Sequence, residues 1–197
     1  MNLIFIDIQR AVAAAWEKQF RGYPQVSVQS GSIFDVECDA LVSPANSFGF
    51  MDGSLDLRIS EFFGWHVQKR LQALIQEKHH GELLVGVADI VPTDHPRIPY
   101  VISAPTMRVP MILSQSVNVY LATRAVILLV LHGHLPDGRP VREVVHTVAV
   151  PGMGTGVGMV PPDTCARQMK AAVDDVLLMK SAFPSSWQEA QSKHRLL

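Results

Sequence analysis

Four glycines alternate with other residues in the segment Pro151–Gly158, which reads Pro-Gly-Met-Gly-Thr-Gly-Val-Gly. Glycine accepts positive φ and has no side chain, so successive backbone N–H groups can turn toward one oxyanion. The mostly apolar run Val144–Val150 precedes this loop. A helix predicted from about Thr164 follows it and would add its positive N-terminal end. The pattern predicts a phosphate-binding loop that suits a diphosphate, with a flexible surface loop as the alternative.

The glycine loop differs from two familiar nucleotide-binding patterns. No Gly-Lys-Ser/Thr follows the glycines, so this is not a Walker loop. A Rossmann fingerprint belongs near the first strand of its unit, whereas these glycines lie late in the chain. The residues alone therefore indicate a phosphate site without naming the ligand.

Polar side chains also follow the apolar segment Ala40–Ser43, which we predict to be a buried strand. Asn46 could bond a ribose hydroxyl or orient a water, or it could be a turn residue that bonds its own backbone. We interpret Asp52 as a turn acid. Asp56 could be a charge at a helix N-terminus or a general base. Both roles of Asn46 and of Asp56 stay open at this point.

The rest of the sequence predicts no metal site, no membrane-spanning segment and no nucleic-acid partner. His132 and His134 are spaced like metal ligands, but no Cys, Asp or Glu cluster adjoins them, so we expect no metal and no cofactor. The longest apolar run, Ala125–Leu131, is too short to span a bilayer. A net charge of −1 does not favour a nucleic-acid partner. The two cysteines fit a reducing compartment, and we expect a cytoplasmic protein.

Strands and helices alternate along the chain, which predicts a mostly parallel or mixed sheet covered on both faces. In such sheets, ligands bind beyond the carboxyl ends of the strands. The apolar patterns predict these strands: Leu3–Ile6, Val26–Gln29, Ala40–Ser43, Leu83–Val91, Tyr100–Ala104 and Val144–Val150. They predict these helices: Ala11–Phe20, Leu55–His80 with a break at Gly64, Ser114–His134 and Thr164–Met179.

Several short motifs, in this order along the chain, resemble those of the macrodomain family. They are Gly31-Ser-Ile33, Asp39-Ala-Leu-Val42, Val42-Ser-Pro-Ala-Asn46, Gly53-Ser-Leu-Asp56 and Val150-Pro-Gly-Met-Gly-Thr-Gly-Val157. The resemblance covers roughly residues 26–180. It implies an α/β fold, a three-layer α/β/α sandwich around a mixed sheet of about six strands, which binds ADP-ribose. We expect one domain over residues 1–197, with an extra strand and helix in 1–25 and a peripheral tail in 181–197.

The resemblance also implies which residues form the site. Residues 31–33 would lie near the adenine, Asn46 would meet the distal ribose, and the two glycine-bearing loops would enclose the diphosphate. The implied ligand-binding residues are Gly31, Ser32, Ile33, Ala45, Asn46, Gly53, Ser54, Leu55, Asp56, Gly152, Met153, Gly154, Thr155, Gly156, Val157 and Gly158. Asn46 and Asp56 keep the ten-residue spacing of the pair found in hydrolytic members, which makes them the candidate catalytic residues.

The chain also departs from the family pattern. Ser32 stands where the family has its adenine-binding Asp, so we expect either weaker selectivity for adenine or replacement of that acid by Asp7 or Asp35. Leu57-Arg58 replaces Gly-Ala, and Gly158 replaces an aromatic residue. The expected function is binding of ADP-ribose or an ADP-ribosylated molecule, with hydrolysis of an ADP-ribosyl linkage. Candidate substrates are a mono-ADP-ribosylated protein, O-acetyl-ADP-ribose and ADP-ribose 1″-phosphate. A non-catalytic binding module, or a relative that binds another nucleotide diphosphate, remains the alternative.

Overall fold

Six strands form one mixed sheet in the computed structural model, which describes residues 1–197. The strands are β1 (Asn2–Asp7), β2 (Val26–Ser30), β3 (Ala40–Ser43), β4 (Asp89–Pro92), β5 (Tyr100–Ser103) and β6 (Thr147–Val150). Their order in the sheet is β2-β1-β6-β3-β5-β4. All neighbours are parallel except β4, which runs antiparallel to β5. The carboxyl ends of five strands therefore meet at one edge.

The chain forms six α-helices. They are α1 (Arg10–Gln19), α2 (Ser54–Phe63), α3 (His66–His79), α4 (Asn118–His132), α5 (Pro162–Ala172) and α6 (Trp187–Arg195). Helices α1 to α5 cover the sheet on both faces. A 3-10 turn spans Val141–Glu143, and a π-helical turn at Val173–Leu177 continues α5. None of the helices is long and apolar enough to cross a membrane.

The two faces of the sheet bury separate hydrophobic clusters. Along β3, Ala40 and Val42 point into the cluster formed with α1, α4 and α5, whereas Leu41 points into the cluster formed with α2 and α3. This alternation follows from the two-residue period of a strand, and the whole of β3 is buried because helices cover both sides. The predicted α/β fold, a three-layer sandwich around a mixed six-stranded sheet, is confirmed.

Some predicted boundaries differ from the structure. The strand predicted at Leu83–Val91 exists only from Asp89, and residues 83–88 are irregular, with a turn at 85–86 where Gly86 has a φ of +94°. Buried Leu83 belongs to the core beside α2 and α3, so its apolar character reflects burial outside the sheet. The break at Gly64 does separate two helices, because its φ of +102° cannot continue a right-handed helix. The tail ends in α6, which has no buried residue.

Candidate ligand-binding site

A cavity of about 720 Å³ lies at the carboxyl ends of the five parallel strands. Its walls come from the segments that follow β2, β1, β6, β3 and β5, in that spatial order along the sheet edge. The volume is in the range of small-molecule and cofactor sites. The strand order therefore determines which segment lines each part of the cavity, from the segment after β2 at one end to the segment after β5 at the other.

The middle of the cavity is lined by the loop that follows β6. The backbone N–H groups of five consecutive residues in this loop, Gly154–Gly158, donate to no acceptor in the protein. Gly154 has a φ of +71°, and both Gly154 and Gly158 are buried. Buried N–H groups without a partner are rare in folded proteins, so the free N–H groups of the two buried residues, Gly154 and Gly158, indicate donors that a ligand satisfies. Such a loop can surround an oxyanion without using a charged side chain.

A second set of N–H donors lies where α2 begins. Helix α2 starts after Gly53 with no side-chain cap, and the N–H groups of Ser54, Leu55 and Asp56 have no partner in the protein. The positive end of the helix dipole adds to these donors. Ser54 has a φ of +50°, a left-handed conformation that costs energy for any residue except glycine. The loops after β3 and β6, which are neighbouring strands, thus both offer donors to one cavity.

Asp7, at the end of β1, anchors the glycine loop. Its Oδ2 accepts the N–H of Gly152 at 2.9 Å, and its Oδ1 accepts the N–H of Gln9 at 2.8 Å. A Cβ on Gly152 would lie 2.7 Å from this Oδ2 and would also clash with Thr155 Oγ1, so a larger residue would displace the Asp7 and Thr155 side chains. The sequence suggests Asp7 only as a replacement for the adenine-binding Asp, and it gives no signal of the contact between Asp7 and Gly152.

The Asn46 side chain is used mainly by its own loop. Its Oδ1 accepts the N–H groups of Phe48 at 3.1 Å and Phe50 at 3.3 Å, and its Nδ2 donates to the Phe50 carbonyl at 2.8 Å. The turn-residue interpretation therefore describes the structure, although Asn46 also lines the cavity. One hydrogen of Nδ2 remains for a ligand.

Asp56 is the one carboxylate of the cavity with a strongly shifted pKa. Burial raises the pKa of Asp56 to about 6, against the lowering effect of a hydrogen bond from the Ser43 hydroxyl, and the nearby charge of Asp52 raises it further. Ser43 is fully buried at the end of β3, so it holds one oxygen of the carboxylate in a fixed place. Asp56 therefore titrates closer to neutral pH than an ordinary aspartate.

The opposite end of the cavity is lined by residues 31–34, which follow β2. Ser32 Oγ accepts the N–H of Phe34 at 3.3 Å, and the Phe34 ring stacks on Phe62 with centroids 4.7 Å apart. Of the two acids considered as replacements for the adenine-binding Asp, Asp7 lines the cavity, whereas Asp35 is exposed outside it.

The structure brings all the predicted ligand-binding residues to the cavity except Met153. The Met153 side chain is fully buried in the hydrophobic cluster on the α1, α4 and α5 face. Its side chain therefore does not line the cavity, and a contact between Met153 and a ligand stays a prediction. The cavity also contains residues that the motifs did not signal: Gln9, Phe34, Phe50, Arg58, Thr106, Met107 and Pro110. No group of three or more His, Cys, Asp or Glu side chains lies close enough to hold a metal ion.

Comparison with known proteins identifies the family. The model of the Macro domain family matches residues 42–169, which is more than half of the chain and extends from β3 into α5. The chain belongs to the macrodomain family. This macrodomain is 35% identical over 144 residues to an uncharacterized protein of Aquifex aeolicus, and the match spans 73% of this chain and 78% of that protein.

Solved macrodomains share the fold of this macrodomain. The macrodomain of Mycobacterium tuberculosis DarG has a TM-score of 0.59 and 19% identity, covering 75% of this chain and 88% of that chain. A mutant macrodomain of Oceanobacillus iheyensis with ADPR has a TM-score of 0.61 and 16% identity, covering 84% of this chain and 88% of that chain. At these identities, the likeness shows the fold alone.

Proposed function

We propose that this macrodomain binds ADP-ribose or a derivative in the cavity, with the diphosphate on the Gly154–Gly158 loop. The observation that carries the proposal is the run of five unpartnered N–H groups in that loop, which suits an anion of two linked phosphates. The cavity volume suits a ligand of this size. The O. iheyensis macrodomain with ADPR, which has the same fold, supports the choice of ligand.

The strand order supports one orientation of the ligand. The diphosphate would lie in the middle, at the loop after β6, where the start of α2 contributes further N–H donors. The adenosine would extend toward β1 and β2, where Ile33 and Phe34 provide apolar surface for a purine. The distal ribose would extend toward β3, within reach of Asn46 and Asp56.

Calorimetric titration with ADP-ribose tests the proposal. Gly154→Ala should weaken binding by roughly tenfold or more, because a Cβ there opposes the φ of +71° and meets Val160 Cγ2 at 3.1 Å. Gly138→Ala is the matched control: its φ is +86°, but it lies outside the cavity with nothing near the added Cβ. Binding that is undetectable at millimolar ADP-ribose would contradict the proposal, and so would equal affinity of the wild type and Gly154→Ala.

Hydrolysis of an ADP-ribosyl linkage at the distal ribose is a second candidate function. The observation that favours it is Asp56, a carboxylate held by Ser43 in the cavity with a pKa of about 6. A general base works best when its pKa lies near the operating pH. In this mechanism, water attacks C1″ while Asp56 accepts a proton from it, the bond from C1″ to the leaving group breaks, and the proton passes to the leaving group. Asn46 would position the loop that faces the ribose.

Turnover assays separate catalysis from binding alone. Asp56→Asn should reduce turnover at least ~100-fold, the low end for loss of a general base, while ADP-ribose still binds. Asp52→Asn is the control, since Asp52 is an exposed cavity carboxylate that has no hydroxyl partner comparable to Ser43. The substrates are an ADP-ribosylated protein, O-acetyl-ADP-ribose and ADP-ribose 1″-phosphate. Binding without turnover of any of them would support a non-catalytic binding module. A thermal-shift panel with ADP, GDP and UDP-sugars would test the other alternative, a relative that binds another nucleotide diphosphate.

A further inference from the structure

The side chains that line the cavity carry an excess of negative charge. Three carboxylates line it, Asp7, Asp52 and Asp56, and the guanidinium of Arg58 is the one cation, which pairs with Glu61 at 3.2 Å. No lysine or histidine is present in the lining. An anionic ligand is therefore held by backbone N–H groups, and any additional anionic group on that ligand meets carboxylates of the same sign.

The acids lie on both sides of the N–H donors. Asp7 ends β1, which is next to β6 on one side, and Asp56 bonds Ser43 of β3, which is next to β6 on the other. The donors of Gly154–Gly158 follow β6 itself. Along the sheet edge, the cavity therefore presents an acid, a group of donors and a second acid. This arrangement fits a ligand whose charge is confined to its middle.

Two backbone hydrogen bonds hold the Asp7 carboxylate in place, and no cationic side chain pairs with it. Its two oxygens each accept one backbone N–H, from Gly152 and from Gln9, and these partners carry no formal charge. A carboxylate has about four acceptor positions, so about two remain for hydroxyl or amino groups of a ligand. A phosphate placed at this end would instead meet a fixed charge of its own sign in a partly buried cavity, where repulsion is stronger than in water.

We propose that Asp7 determines specificity at the adenosine end of the ligand. It admits a ligand whose adenosine carries only hydroxyl and amino groups, and it rejects a ligand with a further phosphate there. The inference rests on the proposed binding of ADP-ribose and deepens it by naming the ligand class, a diphosphate joining two uncharged groups. In the proposed orientation, adenosine extends to this side, because Ile33 and Phe34 follow β2, the neighbour of the strand that Asp7 ends.

Titration of ADP-ribose and its 2′-phosphate, at one pH and one salt concentration, tests the inference. The wild type should bind ADP-ribose roughly tenfold more tightly than the 2′-phosphate, a ratio expected for one like-charge contact in a partly buried site. Asp7→Asn keeps an oxygen that can accept the Gly152 N–H, and it should bring that ratio to about two or below. Asp35→Asn makes the same change of net charge at an exposed acid outside the cavity and should leave the ratio as in the wild type.

The possible outcomes distinguish the inference from the proposed function. Equal binding of both ligands by the wild type would overturn the inference, as would a ratio that Asp7→Asn leaves unchanged. If Asp7→Asn weakens both ligands by the same factor, the residue only positions the glycine loop and the inference is wrong. Absence of ADP-ribose binding by the wild type would instead contradict the proposed function.

Discussion

Removal of the Ser43 hydroxyl is predicted to raise the pKa of Asp56 further. The hydroxyl donates to the Asp56 carboxylate and lowers a pKa that burial has already raised to about 6. A hydrogen bond to a charged group contributes about 1.5–3 kcal/mol, which corresponds to roughly one to two pKa units. Ser43→Ala should therefore raise the pKa of Asp56 above its wild-type value of about 6, so that a smaller share of the carboxylate is ionised at neutral pH.

The shift can be measured without relying on activity. A carbon-13 NMR titration of labelled aspartate carboxyls gives the pKa directly, with the Asp56 signal assigned from its loss in Asp56→Asn. If the protein is catalytic, the acid limb of its pH–rate profile should move upward by the same amount. Ser47→Ala is the matched control, because Ser47 is a nearly fully buried serine in the loop that follows β3, and its hydroxyl has no hydrogen-bond partner.

Two results would refute this reasoning. A pKa of Asp56 that stays the same or falls in Ser43→Ala would show that the hydroxyl does not stabilise the charged carboxylate. An equal rise in Ser47→Ala would show that loosening of the loop, and not the hydrogen bond, controls the titration.

Three further predictions concern stability. Asp56→Asn should raise the melting temperature at pH 8 but not at pH 4. The pKa of Asp56 is 3.8 in the unfolded chain and about 6 in the folded protein, so the buried charge destabilises the fold only as the pH rises from the first value through the second. Ser54→Gly should raise the melting temperature, by relieving roughly 1–2 kcal/mol of left-handed strain at φ +50°, less the backbone entropy of glycine. Gly152→Ala should lower the midpoint of urea unfolding, with Gly156→Ala, whose Cβ would meet nothing within 4 Å, as its control.

The main site loops were predictable because their signals are local. Alternating glycines after an apolar strand indicate a loop that exposes its backbone, and the fold then places that loop beside the loop after β3. The pattern did not say which residues of the loop face the ligand. Met153 lies within the motif, yet it is buried in the core because the chain needs an apolar anchor at that point. A motif specifies a segment, and packing decides the direction of each side chain.

The contact between Asp7 and Gly152 could not be predicted from local pattern. These residues are 145 positions apart, and they meet only because β1 and β6 are neighbours in the sheet. The strand predicted from Leu83 is wrong for a different reason, since a buried residue of an irregular segment is as apolar as a strand residue. Long-range pairing, which the order of elements does not determine, decides the first case, and burial outside the sheet decides the second.

Two residues with the family's ten-residue spacing play different roles in the structure. The Asn46 amide already makes three hydrogen bonds within its own loop, so its loss would change the loop before it changed any chemistry. The Asp56 carboxylate has one protein partner, Ser43, and it keeps an oxygen for water or a hydroxyl. Of the two residues, Asn46 therefore holds the shape of its loop, whereas Asp56 can accept a proton. Because only the latter can act as a general base, the question of catalysis depends on Asp56.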